Sequence, residues 1–185
     1  CATNMQLFEL VEKRQSDRKY IEKTIPKEQI LKIIEAARLA PSASNSQPWT
    51  FIVIDDISVK TEIAKTTVTK GLPINKFAFD AAVIIAIVVE TPKTITRIAG
   101  WLKKRDFPWI DIGIAAEHIC LQAAELGIGS CMVGWFDEKK AKKILQLPKS
   151  KRIGLLITLG YTPQDYHHRQ KTRKPIEQIL KYNHY

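Results

Sequence analysis

The sequence predicts an α+β fold in which helices sandwich a mixed β-sheet. Three observations predict it. Segments with helical spacing of apolar residues alternate loosely with short apolar runs of strand length. The first strand comes only after two helices. The strands are few and the connections between them long, which suits helices laid on both faces of one sheet.

Met5–Lys13 reads as a short amphipathic helix with Leu7, Leu10 and Val11 on its apolar face, and Gln15–Thr24 as a polar loop. Pro26 opens the second helix, because proline suits the first helical turn. Ile30, Ile33, Ile34 and Ala37 keep helical spacing there, and Pro41 stops it. Pro41–Pro48 (PSASNSQP) is a loop, and Trp49–Ile54, β-branched and aromatic, is a strand. Val59–Thr69 is read as helical and Lys70–Lys76 as a loop. Ala81–Val89 (AAVIIAIVV) is a central strand buried on both faces.

Thr91–Pro108, charged and bounded by prolines, is expected to be a connection with at most a short helix. Asp111 is expected to begin a long helix, where an acidic side chain suits the positive N-terminal end. Its apolar residues run around much of its girth, so it is buried or lies at a subunit interface. Gly127 ends it. Ser130–Val133 is a short strand, Glu138–Leu145 a helix, Arg152–Leu159 a strand, and Ile176–Leu180 a short helix in a basic tail. Residues 5–185 are expected to form a single domain. Residues 1–4 are read either as additions before a natural start at Met5 or as an end exposed by removal of a preceding segment.

Composition narrows the function classes. The chain has 185 residues, enough to bury a sizeable core, with 45% hydrophobic and 26% charged residues. No apolar run is long enough to span a bilayer, so no membrane partner is expected. Cys1, Cys120 and Cys131 form no CxxC pair, and Cys120 and Cys131 sit in apolar contexts. They read as buried thiols of a reducing, cytoplasmic compartment. The net charge is +10, but the basic residues are interleaved with acidic ones and carry no stacking motif. That reads as a basic surface or an anionic cofactor rather than a nucleic-acid partner.

Standard catalytic signatures are absent: there is no Walker loop, HExxH or GxSxG. His118 stands alone on the long helix, where packing is the ordinary role, and the His167–His168 pair does not by itself make a metal site. No metal is expected. Gly127, Gly129 and Gly134 follow a helix and open a strand, the reverse of a dinucleotide-binding glycine loop.

Three separated segments stand out. In Arg14-Gln15-Ser16-Asp17-Arg18 two arginines flank a hydroxyl, a pattern suited to phosphate oxygens. Pro41–Trp49 (PSASNSQPW) lies between a helix and a strand. Lys171-Thr172-Arg173 lies in the basic tail. Together with DIGIAAEHICLQAAELGIGSCMVGWF, LLITLGY and KTRKPIEQIL, in this order and over nearly the whole chain, they resemble the compact members of the nitroreductase family of FMN-dependent oxidoreductases.

That resemblance implies a nitroreductase-like fold and an intertwined homodimer with FMN at the subunit interface. It places Arg14 and Ser16 at the phosphate and ribityl chain, with Gln15 at a position that is often basic in the family. It places Arg18 as the cation near N1 and the C2 carbonyl of the ring, and Lys171 and Arg173 as a C-terminal pair closing on the phosphate. Pro41, Ser42, Ala43 and Ser44 resemble the loop supplied by the other subunit, and Asn75 a cofactor contact. Met132, Val133 and Gly134 resemble the stretch under the ring, with the Gly134 N–H directed to N5.

The activity implied is reduction of nitro or quinone-type small molecules with NADH or NADPH, by ping-pong hydride transfer. The alternatives are a specialised flavoenzyme of the family, such as a reductive dehalogenase, or a low-turnover flavin-binding redox sensor. Glu90–Pro108 is shorter than the helical excursion of larger members, so substrate choice does not carry over.

Overall fold

The computed structural model describes residues 6–69, 74–91 and 106–185. The expectations for residues 1–4, and for residues 70–73 and 92–105 of the two connections, lie outside the described residues.

Four strands form one sheet: β1 (Trp49–Ile54), β2 (Val83–Val89), β3 (Gly129–Val133) and β4 (Arg152–Gly160), in the order β1-β2-β4-β3. All three pairings are antiparallel. Parallel character enters through the isolated bridge between Ser16 and Ser130, where the segment after the first helix runs along the edge strand β3. Among the described residues the α-helices are α1 (Leu7–Lys13), α2 (Lys27–Arg38), α3 (Ile57–Thr66), α4 (Phe107–Glu125), α5 (Glu138–Ile144) and α6 (Ile176–Ile179).

β2 carries the core because it is interior and apolar on both faces. Val83, Ile85 and Ile87 join Ile157 and Leu159 of β4 under α2 and α4. Ile84 and Ala86 join Leu156, Cys131 and Val133, covered by Ile63 and Ala64 of α3 and Ala141 of α5. Side chains of a strand alternate between faces, so one apolar strand feeds both layers. Each fully buried isoleucine contributes about 1.5–3 kcal/mol. Alternation breaks once in β4. Ile87 pairs with Leu155 and Val88 with Ile153, leaving Gly154 as an extra residue. That bulge returns Ile153 to the second layer.

Local chemistry sets the element ends. Asp56 caps α3 by accepting from Ser58 N and Val59 N, both at 3.0 Å, so the helix starts two residues before the apolar pattern suggested. α4 starts at Phe107, four residues earlier than Asp111. Pro108 lies in its first turn, where the absent N–H breaks no helical bond. Asp111 thus sits one turn inside the helix. α4 closes with Gly127 at φ 71°, and Ile128 N donates to Ala123 O at 2.8 Å. α1 packs differently from its expected role: Leu7, Phe8 and Val11 are exposed.

Candidate functional site

Two chain segments far apart in sequence build a cationic pocket. The first is Arg14–Arg18, extended along β3. Asp17 N donates to Ser130 O at 2.8 Å, and Ser130 N donates to Asp17 Oδ2 at 3.2 Å. The second is the C-terminal segment after β4. Arg18 N donates to Tyr166 Oη at 3.1 Å, Arg169 N donates to Gln15 Oε1 at 3.1 Å, and Lys171 Nζ donates to Val11 O at 2.6 Å. Arg169 also donates from Nη2 to Ser16 O. These bonds lay the tail across the N-terminal segment.

The pocket between them has a volume of about 240 Å³. Arg14, Arg18, Arg169, Lys171 and Arg173 line it, with Gln15, Ser16, Gln170 and Thr172. None of the lining residues is acidic. Burial, and then the like charges of Arg14 and Arg173, hold the Lys171 ammonium below its usual range. Arg14 Nε is buried without a hydrogen-bond partner among the described residues, although Glu117 Oε1 lies 3.1 Å away. The carboxylate supplies charge without a directed bond. Like charges gathered this closely, with an unsatisfied guanidinium N–H, suit a compact anion such as a phosphate group.

The edge strand β3 continues from this pocket. Met132 is 37% exposed and Val133 is buried. Gly134 follows directly, with no atom of the described residues within 4 Å of where a Cβ would stand, so the strand end presents an open flank. Beyond it Trp135 is exposed, with Nε1 donating to Thr69 Oγ1 at 2.8 Å. Asn75, in the left-handed region at φ 60°, donates from Nδ2 to Thr67 O and Trp135 O, each at 3.3 Å. It therefore clamps the turn after β3.

The Pro41–Ser44 loop lies elsewhere. Ala43 N donates to both carboxylate oxygens of Asp111 at 3.2 Å. Ser46 Oγ donates to Ala43 O at 2.7 Å, and Gln47 N to Ser42 Oγ at 2.9 Å. Ser44, Asn45 and Gln47 all have positive φ, at 53°, 50° and 47°. Such residues cost of order 1 kcal/mol or more each and persist where contacts fix them, so this is a shaped loop. None of residues 41–44 lines the cationic pocket. Asp111 and Glu117, which meet the loop and Arg14 respectively, are separated by about 9 Å of helix rise and about a third of a turn. The loop and the pocket thus sit on different sides of α4.

Other candidates resolve simply. His118 Nδ1 lies 2.9 Å from Ala36 O, a packing contact between α4 and α2. Burial pushes the Cys120 thiol up to about 12 and the Cys131 thiol above its usual range, so neither is poised as a nucleophile. Burial also raises the Asp17 carboxyl, opposed by the Ser130 N–H, Gln15, Arg169 and His168. Among the described residues no cluster of His, Cys, Asp or Glu suits a metal ion, and no helix is long and apolar enough to cross a membrane.

The structure brings Arg14, Gln15, Ser16, Arg18, Lys171 and Arg173 into one pocket, and sets Met132 and Val133 on the neighbouring edge strand with Gly134 just past its end. Sequence reasoning missed Arg169, which lines the same pocket, because one arginine in a basic tail carries no signal of which way it faces.

A model described as the Nitroreductase family matches residues 11–161. The segment supplying Arg169, Lys171 and Arg173 lies beyond that match. A protein of Archaeoglobus fulgidus named as an NADH dehydrogenase/NAD(P)H nitroreductase is 30% identical over 165 residues, covering 86% of this chain and 87% of that protein. The structure of an FMN-dependent nitroreductase from Clostridium difficile is 28% identical with a TM-score of 0.76, covering 97% of this chain and all of that one (100%). Iodotyrosine deiodinase of Thermotoga neapolitana is 23% identical over 198 residues, covering 96% of this chain and 97% of that protein.

Proposed function

Because this chain belongs to the nitroreductase family, we propose that it is an FMN-dependent oxidoreductase that takes electrons from NADH or NADPH and passes them to nitro or quinone-type compounds in a ping-pong cycle. The observation that carries this reading is the pocket of about 240 Å³ lined by five cationic side chains and no acidic one. It fits the phosphate of FMN, and the open end of β3 beside it fits the ring.

Bound FMN supplies a ring that accepts hydride and returns it to a second substrate. The chain's own residues bind and orient. Arg14, Ser16, Lys171 and Arg173 hold the phosphate, with Gln15 alongside and Arg169 closing the tail over it. Arg18 offers positive charge where reduction of the ring places negative charge, which favours acceptance of hydride. The Gly134 N–H is the donor assigned to N5, and Met132 and Val133 shape the strand beneath the ring. On this reading the hydride step needs no protein acid, base or nucleophile, in keeping with the neutral, buried thiols of Cys120 and Cys131.

A second copy of the chain completes the site. Pro41, Ser42, Ala43 and Ser44 are assigned to the flavin of the partner, since they form a fixed loop away from their own pocket. The exposed apolar residues Leu7, Phe8 and Val11 of α1 and Ile176 and Ile179 of α6 are the surfaces offered to that copy. Asn75 acts at the cofactor through the clamp it places on Trp135. The free thiols suit a cytoplasmic setting.

The test is an anaerobic absorbance spectrum of FMN-reconstituted protein before and after NADH or NADPH. Flavin bands that bleach with either donor support the reading. Bound flavin that refuses both donors overturns the NAD(P)H half-reaction and favours a redox sensor, and no flavin binding overturns the reading altogether.

The similarity to iodotyrosine deiodinase favours a second reading, reductive dehalogenation at the same flavin. Turnover of halogenated tyrosines without turnover of nitroaromatics selects it; the reverse discards it.

A further inference from the structure

Asp17 is only 7% exposed, though it sits between two residues, Ser16 and Arg18, that line the cationic pocket. Extended backbone turns neighbouring side chains to opposite sides. Ser16 and Arg18 face the pocket, whereas Asp17 lines an adjoining cavity of about 130 Å³ with Gly129 and Ser130 of β3. Asp17 is fixed there from several directions, once through its carboxylate and twice through its backbone. Oδ2 accepts from Ser130 N at 3.2 Å, the Asp17 N–H donates to Ser130 O at 2.8 Å, and Tyr20 Oη donates to Asp17 O at 2.9 Å. Gly129 leaves room for it: a Cβ there would stand 2.9 Å from Oδ2. The groups facing the carboxylate are Arg169 and His168 from the tail, Gln15 and Tyr20 from its own segment, and Cys131 from β3.

We propose that Asp17 is a positioning residue for the cofactor: by fastening the Arg14–Arg18 segment to β3 through Ser130, it sets the spacing between the phosphate grip and the Met132–Gly134 ring flank. This inference rests on the flavin reading above. Its logic is that of two linked binding sites. A phosphate and a ring joined by one ribityl chain reinforce each other only while both grips keep the span of that chain. If the segment slides along β3, either grip can still engage, but not both at full strength.

The experiment compares FMN with riboflavin, the same molecule without the phosphate. Apoprotein is titrated with each flavin, following flavin fluorescence, for the wild type, Asp17→Ala, Asp17→Asn and Lys139→Ala. Positioning predicts that Asp17→Ala lowers the preference for FMN over riboflavin by about tenfold or more. Asp17→Asn, which keeps an acceptor for the Ser130 N–H, should stay within about threefold of the wild type. A merely destabilised protein would lose both flavins in proportion and leave the ratio unchanged. A wild-type ratio in Asp17→Ala overturns the proposal. Should that variant fail to fold, Gly129→Ala displaces the carboxylate instead: a lowered ratio supports the proposal and an unchanged ratio overturns it. Wild-type protein that binds neither flavin would instead overturn the flavin reading itself.

Discussion

Gly129 and Asp17 share one volume at the edge of the sheet: a Cβ on Gly129 would lie 2.9 Å from Asp17 Oδ2, 3.1 Å from Asp17 Cβ and 2.9 Å from Thr162 Cγ2. The neighbours are a buried carboxylate and a strand-end side chain, so neither yields freely. Gly129→Ala is expected to destabilise the protein by about 1–3 kcal/mol, read by urea denaturation. Removing the carboxylate as well relieves part of that clash. The double variant Asp17→Ala/Gly129→Ala should therefore be more stable than the sum of the single losses implies. Additive losses would mean that the two residues do not contend for the space.

The phosphate grip makes a separate prediction. Arg14→Ala and Arg173→Ala each remove a guanidinium from a pocket that contains no carboxylate. Each should weaken FMN binding by about tenfold or more, the scale of a lost charge-assisted hydrogen bond. Lys139→Ala, on the exposed side of α5, should leave FMN retention as in the wild type. Equal retention by all three variants would remove the phosphate assignment.

The sheet predicts its own sensitivities. Ile157 of β4 is fully buried in the layer under α2 and α4, whereas Leu31 on α2 is 69% exposed. Ile157→Ala should cost about 2–5 kcal/mol, because the packed layer collapses only partly onto the void. Leu31→Ala should change stability by no more than about 0.5 kcal/mol. Comparable losses at the two positions would mean that α2 meets the sheet along a different face.

Local signals were legible and long-range ones were not. Trp49–Ile54 reads as a strand from its β-branched and aromatic residues, and the structure gives the same limits. The all-apolar run before Val89 announces an interior strand, and β2 is interior. Pro108 misled the reading of α4, because proline marks a boundary without saying whether it stands just outside the helix or in its first turn. The bulge at Gly154 could not be read from the sequence, because the apolar residues of β4 continue on both sides of it. At the site, Arg14–Arg18 and Lys171–Arg173 are each an ordinary basic string when read alone. Only the resemblance joined them, since the bonds that join them, Arg169 to Gln15 and Arg18 to Tyr166, cross about 150 residues (154 and 148). Asp17 drew no attention for the same reason: its partner Ser130 is 113 residues away.

The stability of the far end of the sheet should depend on acid through Glu90. It follows β2, accepts from Thr50 Oγ1 of β1 at 2.8 Å, and pairs with Lys151 just before β4. One carboxylate therefore ties three strand ends. The Lys151 ammonium, and to a lesser degree Thr50, hold its carboxyl below the usual range, with burial opposing them. Folding thus favours the ionised form, and the unfolded chain binds a proton more readily. The stabilisation is fully present above the ordinary glutamate range near 4.3, and it is lost as pH falls through the lower folded value. Glu90→Gln removes the charge at every pH. Urea denaturation between neutral pH and about pH 3 should then show the wild type more stable at neutral pH, with the difference shrinking as the solution is acidified. A constant difference across that range would mean that the tie acts through packing and neutral hydrogen bonds rather than through the carboxylate charge.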